Sequence, residues 1–159
     1  MMYEEYIDLA MRTSRKDLSK TDSLLNACLG LAGEYAELRD TLDVDDRKNE
    51  LGDLHWYFAL AYVNSEIDNL EDVSTEMDDI NLLKTIGNLC DYVKKIVYQG
   101  HELDKVEMTN LISKLFNRLR QECYIQGFSQ TEIMQLNIDK LMRRYPEGFT
   151  VKDSIHRVI

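Results

Sequence analysis

Four acidic side chains occur as two pairs with the same spacing in two consecutive segments of the chain. Glu34 and Glu37 form the first pair, in GLAGEYAELRD, and Glu50 and Asp53 form the second, in NELGD. The members of each pair are three residues apart, so in a helix both carboxylates lie on one face, about one turn from each other. Carboxylate oxygens are the ligands that Mg²⁺ and Mn²⁺ prefer in proteins. The two pairs are therefore candidate metal ligands.

The apolar residues around these acids recur in steps of three and four, which predicts two amphipathic helices. The first stripe is Leu24, Cys28, Leu31, Tyr35 and Leu38, and the second is Leu51, Leu54, Phe58 and Ala61. Each acid directly precedes a member of its stripe, so each pair borders the apolar face on the same flank. A short connection makes the helices antiparallel neighbours whose matching flanks face each other. We therefore predict Glu37 level with Glu50 and Glu34 level with Asp53.

Four carboxylates beside a core repel each other and lose hydration, which favours their protonated forms unless a cation compensates. A di-iron site in a helical bundle would need a Glu-x-x-His pair, which this sequence lacks. The alternative is that the acids belong to a solvated helix face, which is the usual place for acidic residues. The shared flank and the apolar surroundings favour the metal site.

The composition predicts one all-α domain that spans residues 1–159, an antiparallel helical bundle. The chain has one proline and seven glycines and is 44% hydrophobic, which favours long helices around a real core. Beyond the two helices above, we expect helices near 2–12, 80–98, 105–125 and 130–143. Thr21 or Asp22 and Asp45 or Asp46 are predicted helix caps. We expect an acidic loop with one helical turn at 64–79 and an irregular tail at 147–159.

The formal net charge of -10 argues against a nucleic acid polymer as partner and fits a protein that binds cations. The three cysteines are odd in number and far apart, which indicates reduced, buried thiols. The N-terminus does not read as a signal peptide, and the longest apolar run, at 56–63, is too short to span a bilayer. We expect a cytoplasmic protein without a membrane segment.

Three stretches together resemble the MazG-like group of all-α nucleoside triphosphate pyrophosphohydrolases. LNACLGLAGEYAEL followed by NELGDLHWYFALAY is similar to the signature of that group, E-x-x-E, a gap and E-x-x-D, with a gap of twelve residues here. The stretches YIDLAMRTS and LNIDKLMRRYPEGFTVKDSIHR are similar to the two ends of small members. The resemblance implies an all-α bundle and a Mg²⁺-dependent enzyme, with Mn²⁺ as a possible substitute, that hydrolyses a (d)NTP to a (d)NMP and pyrophosphate. It also implies a homodimer or a higher homo-oligomer.

The resemblance implies roles for particular residues. Glu34, Glu37, Glu50 and Asp53 would hold the metal, with Glu37 and Glu50 as the catalytic residues and Glu37 positioning the attacking water. Four residues would contact the nucleotide: Lys140, Arg144, Tyr145 and Trp56. For the first three the alternative is a solvated last helical turn whose cations complement the helix C-terminus. For Trp56 and Tyr57 it is packing in the core.

The middle of the chain is longer than a small member of the group needs. CDYVKKIVYQGHELDKVEMTNLISKLF resembles a second copy of the inter-helix region, and the corresponding metal positions would be Thr85, Asn88, Leu111 and Lys114, none of them acidic. We therefore hypothesise an internal duplication, with a metal-binding half at about 20–66, a degenerate half at about 80–130, and a C-terminal helix and tail at 130–159. Three residues of the second half are candidate phosphate ligands, with a surface role as the alternative: Lys94, Lys95 and His101.

Two other classes of function remain open from the sequence. A non-catalytic nucleotide-binding or helical interaction protein could keep the same scaffold and bind nucleotide without hydrolysing it. A purely structural helical bundle would respond to neither Mg²⁺ nor nucleotide.

Overall fold

The protein is described here by a computed structural model, which covers residues 1–73 and 81–156. Within these ranges the chain forms helices and no strand, so the predicted all-α fold class is confirmed. The helices are α1 (Tyr3–Met11), α2 (Lys20–Asp40), α3 (Val44–Asn64), α4 (Leu82–Tyr98), α5 (Lys105–Ile125), α6 (Gln130–Arg144) and α7 (Val151–Ile155).

Several predicted helix ends were wrong in detail. The N-caps of α2 and α3 are Ser19 and Asp43, whose side chains accept hydrogen bonds from Asp22 N and from Asp45 N and Asp46 N, respectively. A cap must precede the N–H groups that it satisfies by two or three residues, so the residues predicted as caps lie in the first turn instead. There the acids complement the helix dipole.

The C-terminal tail at 147–159 was predicted to be irregular, which was wrong for residues 151–155; residues 157–159 lie outside the described part of the chain. Thr150 accepts a hydrogen bond from Asp153 N and begins the short helix α7. The predicted helical turn in the loop at 64–79 is not present at residues 65–73, and residues 74–79 lie outside the described part of the chain.

The helices pack as two hairpins with further helices against the first. α2 packs along α3 and α4 along α5, and the hairpins meet where α2 contacts α4 and α3 contacts α5. Each helix of the first hairpin therefore packs against a helix of the second, while the internal duplication and its two-fold relation stay predictions. α1 and α6 pack on α3 and on each other.

The core includes most of the predicted stripes, together with apolar residues of α1, α4, α5 and α6. Leu31, Leu51, Leu54 and Phe58 are almost completely buried, and burial of each such side chain stabilises the fold by about 1.5–3 kcal/mol. All three cysteines are free thiols, and Cys28 and Cys123 are buried as small apolar residues. In the described ranges, no helix combines the length and the apolar character that crossing a bilayer requires.

Two glycines let other side chains approach the backbone closely. A Cβ on Gly30 would overlap Cε1 of Tyr57, so the tyrosine ring of α3 lies directly on α2 at this point. A Cβ on Gly52 would lie 3.0 Å from Cβ of Asn137, so α6 approaches α3 closely. Gly33, by contrast, has no neighbour within 4 Å of its virtual Cβ.

These surroundings predict opposite effects for the same substitution at Gly30 and Gly33. Gly30→Ala would force the Tyr57 ring away from α2, and we expect it to lower the free energy of unfolding by about 1–3 kcal/mol. Gly33→Ala adds a methyl group in open space on a helix, and we expect a gain of about 0.5–1 kcal/mol. Urea unfolding of both variants measures the two effects. Equal destabilisation by both variants would contradict the close packing of Tyr57 on Gly30.

Candidate metal centre

Three of the four predicted ligands lie together where α2 packs on α3. Each of Glu34, Glu50 and Asp53 offers a carboxylate oxygen, and these three atoms lie within 4.8 Å of one another. All three side chains are half-buried, at the edge of the core formed by the two stripes. We call this set the acidic triad. Its oxygen ligands suit Mg²⁺ or Mn²⁺ on chemical grounds.

The acidic triad holds a proton in the metal-free protein. The pKa of Glu34 is raised to about 8, first by burial, then by the charge of Asp53, the hydrogen bond with Glu50 and the charge of Glu37. Burial also raises the pKa of Glu50, although the hydrogen bond with Glu34 acts in the opposite direction. The hydrogen bond raises the pKa of Glu34 and lowers that of Glu50, which favours Glu34 as the donor and the Glu50 carboxylate as the acceptor. A bound cation would take over the role of this proton.

Glu37 lies beside the acidic triad rather than within it. Its side chain is exposed, and among the described residues the acids whose oxygens lie within 4.8 Å of one another do not include it. Three residues rotate a helix by about 300°, which turns Glu37 roughly 60° away from Glu34. Its charge still raises the pKa of Glu34 and of Glu50, so it lies near them. The predicted level of Glu37 beside Glu50 stays a prediction.

Two donors from α6 hold one oxygen of Asp53. Lys140 Nζ lies 2.5 Å from Asp53 Oδ1, and Asn137 Nδ2 donates to the same oxygen over 3.1 Å. The lysine is only 8% exposed, so the alternative of a solvated last turn does not hold for this residue. Its ammonium offsets part of the negative charge of the acidic triad. The sequence predicted Lys140 as a nucleotide contact and did not predict its contact with Asp53.

A cavity of about 260 Å³ adjoins the acidic triad, and Glu34 and Asp53 form part of its wall. Apart from Leu141, the other residues that line it are aromatic, basic or polar: Trp56, Tyr57, Tyr145, Phe149, Arg15, Arg144, Thr13, Asn26 and Ser154. Trp56, Arg144 and Tyr145, predicted to contact a nucleotide, thus share one cavity next to the predicted metal ligands. We call it the triad cavity.

The aromatic walls of the triad cavity are fixed in place by their neighbours. Trp56 Nε1 donates to Thr13 Oγ1 over 2.8 Å, and its ring meets the Tyr57 ring edge-on with centroids 5.0 Å apart. On the C-terminal side, the Tyr145 and Phe149 rings lie 5.7 Å apart. Trp56 therefore packs against its neighbours and also lines the cavity, so the two roles considered for it are compatible.

The sequence did not indicate several cavity residues, including Arg15, Asn26 and Phe149. Asn26 precedes Gly30 and Glu34 in steps of four on α2, so the three positions share one helix face. A polar residue within the apolar stretch LLNACLGL was a signal that could have found it. Arg15 and Phe149 lie in the segments after α1 and after α6, and no periodicity reaches them.

The candidate phosphate ligands of the second half lie elsewhere. Lys94 and Lys95 form ion pairs with Asp91 on α4 over 2.6 and 2.8 Å, and His101 is exposed between α4 and α5. None of the three lines the triad cavity. The structure favours the alternative that they are surface residues.

His55 is a neutral core residue in α3 and not a metal ligand. It is completely buried, and burial lowers its pKa to about 4. Its Nδ1 lies 2.7 Å from the carbonyl oxygen of Leu51 and its Nε2 lies 3.0 Å from Nε2 of Gln130. A neutral ring that donates from Nδ1 and accepts at Nε2 satisfies both contacts.

No family model, no curated protein and no solved structure matches this chain. Its function is therefore inferred from the residues of the acidic triad and of the triad cavity.

Proposed function

We propose that the protein is a Mg²⁺-dependent nucleoside triphosphate pyrophosphohydrolase that hydrolyses a (d)NTP to a (d)NMP and pyrophosphate. The observation that carries the proposal is that two members of the acidic triad, Glu34 and Asp53, lie in the wall of a cavity that two arginines and four aromatic rings also line. A triphosphate nucleotide combines an anionic chain that binds a cation with a flat apolar base. The MazG-like resemblance of the sequence supports the same reaction.

The donor set of the triad fits a divalent cation. Glu34, Glu50 and Asp53 would hold it, and the proton shared by Glu34 and Glu50 marks where positive charge is needed. When bound, Mg²⁺ supplies neutralisation of phosphate charge and a lowered pKa for a water molecule. Mn²⁺ has the same preference for oxygen ligands and is expected to replace it.

Basic side chains beside the triad provide contacts for the phosphates. Arg144 lines the triad cavity and forms no ion pair or hydrogen bond with any side chain of the described ranges. Its planar guanidinium can donate two parallel hydrogen bonds to a phosphate. Arg15 already donates to Asp17 through Nε and Nη2, the two nitrogens of one edge of its guanidinium. We therefore assign the phosphate contact to Arg144. Lys140, which lies beside Asp53, is the second basic group that we assign to the nucleotide.

Glu37 is the group that we assign to the attacking water. It is exposed at the edge of the acidic triad, near enough for its charge to affect Glu34 and Glu50, and its carboxylate can accept a proton. The water oxygen would form a bond to the α-phosphorus, the bond to the bridging oxygen would break, and pyrophosphate would leave. Glu50 would act in the same reaction as a ligand that fixes the cation beside the attacking water.

The aromatic residues supply the contact for the base. Trp56 is held by its bond to Thr13, so its ring is fixed before a ligand enters. Stacking of a base on such a ring contributes about 1–3 kcal/mol and tolerates different bases.

The proposal also includes the fold and the assembly. We propose a MazG-type bundle with an internal duplication, and a homodimer or higher homo-oligomer.

A nucleotide panel tests the proposal. Each NTP and dNTP is incubated with the protein and Mg²⁺, and mono- and diphosphate products are separated chromatographically. We expect monophosphate and pyrophosphate from at least one nucleotide, and none in EDTA. Thermal stabilisation by nucleotide without any monophosphate would favour the non-catalytic binding protein. A melting temperature that neither Mg²⁺ nor nucleotide changes would favour the structural bundle.

A further inference from the structure

A buried tyrosine from α1 reaches the acidic triad through a single amide. Tyr6 is completely buried, and its hydroxyl lies 2.9 Å from Asn137 Oδ1. Asn137 is 2% exposed, and its Nδ2 lies 3.1 Å from Asp53 Oδ1. Three helices thus contribute to one chain of two hydrogen bonds: α1, α6 and α3. We call it the Tyr6 relay.

The direction of the Tyr6 relay follows from the chemistry of its members. The Asp53 carboxylate only accepts hydrogen bonds, so the NH₂ group of Asn137 must face it and the amide oxygen must face Tyr6. A flipped amide would place Asn137 Oδ1 against Asp53 Oδ1, two acceptors in contact. The amide oxygen can in turn only accept, so the Tyr6 hydroxyl must donate. Tyr6 therefore selects the orientation in which Asn137 donates to Asp53.

The backbone around the relay leaves little freedom for the amide. Gly52 directly precedes Asp53, and a Cβ at this glycine would lie 3.0 Å from Cβ and 3.1 Å from Nδ2 of Asn137. The absence of that Cβ makes room for the amide beside the carboxylate. Both Asn137 and Lys140 donate to the same oxygen, Asp53 Oδ1. The second oxygen, Oδ2, receives neither of these bonds.

We propose that Tyr6 is a positioning residue of the metal centre: through Asn137 it orients the Asp53 carboxylate so that the triad binds a divalent cation. This inference rests on the metal centre of the proposed function. Outer hydrogen bonds of this kind fix the orientation of metal ligands, and their loss commonly weakens metal affinity by about 10–100-fold. Tyr6 itself does not line the triad cavity and would touch neither substrate nor metal.

The test is a double-mutant cycle with Mn²⁺ as the probe, measured by titration calorimetry and by the electron paramagnetic resonance signal of free Mn²⁺. We expect Tyr6→Phe and Asn137→Leu each to weaken Mn²⁺ binding by about tenfold or more. Because Tyr6 acts only through Asn137, the double variant should bind Mn²⁺ no more weakly than Asn137→Leu alone.

Thermal unfolding in EDTA separates positioning from stability. Each single variant leaves a buried polar group without its partner, whereas the double variant replaces both by apolar groups, so its melting temperature should recover towards wild type. Its Mn²⁺ affinity should stay low. Ser113→Ala is the matched control. It removes a buried hydroxyl that accepts a hydrogen bond from Glu71 N, and neither residue belongs to the Tyr6 relay. It should lower the melting temperature and leave Mn²⁺ affinity unchanged.

The outcomes distinguish the relay from the metal centre. Wild-type affinity in a folded Tyr6→Phe variant would overturn the relay and leave the metal centre intact. Additive losses in the double variant would also overturn it, because they would show that Tyr6 does not act through Asn137. If the wild-type protein binds no Mn²⁺, both the relay and the proposed metal centre are wrong. If Tyr6→Phe does not fold, Asn137→Leu provides the test instead. An unchanged Mn²⁺ affinity in that variant would also overturn the relay.

Discussion

Glu34→Gln is expected to lower the rate of pyrophosphate release by about 10³-fold and to raise the melting temperature of the metal-free protein. The loss of rate corresponds to the several kcal/mol that a bound metal contributes to catalysis. The gain in stability follows because Glu34 is half-buried against two other carboxylates, which raises its pKa to about 8. Near pH 7 the folded protein must protonate this group, and a neutral amide of the same shape avoids that cost. Initial rates and thermal unfolding in EDTA measure both effects.

The expected rise in melting temperature is about 2–4 °C, the shift that ~1 kcal/mol produces in a chain of this length. This is a small part of the free energy that the pKa shift implies, because solvent screens a half-exposed site. Mg²⁺ should then stabilise the wild-type protein and leave Glu34→Gln unchanged. Glu102→Gln, at an exposed position between α4 and α5, is the control and should change none of these quantities. A variant that keeps its turnover would show that Glu34 is not a ligand.

The parallel substitution Glu37→Gln separates metal binding from water activation. Glu37 is exposed and lies outside the acidic triad. We therefore expect this variant to keep most of its Mg²⁺-dependent stabilisation while losing about 10²-fold or more in rate, the usual range for a general base. Unchanged turnover would remove Glu37 from the catalytic assignment and leave the acidic triad in place.

The parts of the site that the sequence predicted depend on residues close together in the chain. The stripes through Leu31 and Leu54 repeat with the helical period, and a three-residue connection joins α2 to α3. Periodicity and a short loop are sufficient to bring Glu34 to Asp53. Helix periodicity also predicted α4, α5 and α6 to within about two residues, because these helices begin at Asn, Asp and Ser caps and carry a clear apolar face.

The parts that the sequence did not predict depend on contacts between distant segments. Tyr6 and Asn137 are 131 residues apart, and only the packing of α1 and α6 on α3 brings them together. Arg15 and Phe149 reach the triad cavity from segments without helical periodicity. From the sequence, Lys140 fits a solvated last turn of a helix. Its burial beside Asp53 depends on the close approach of α6 to α3 at Gly52. Such contacts follow from three-dimensional packing and leave no local pattern.

The apparent affinity for Mg²⁺ is expected to rise by up to about tenfold per pH unit below about pH 8 and to level off above it. Glu34 has a pKa of about 8 in the metal-free protein, whereas a ligand carboxylate must be ionised. Below that pH each bound cation therefore displaces a proton, and affinity increases as proton concentration falls. Calorimetry at pH 7 in two buffers of different ionisation enthalpy should show release of about one proton per Mg²⁺ bound.

The metal-free protein should show the opposite dependence on pH. Because the pKa of Glu34 is raised from 4.5 to about 8 on folding, the folded state binds more protons than the unfolded state between these values. The contribution of Glu34 to stability is therefore fully present below about pH 4.5 and is lost as pH rises through 8. Glu34→Gln should flatten both curves. An Mg²⁺ affinity that stays constant between pH 6 and 8 in the wild-type protein would mean that the cation does not replace the proton of the acidic triad.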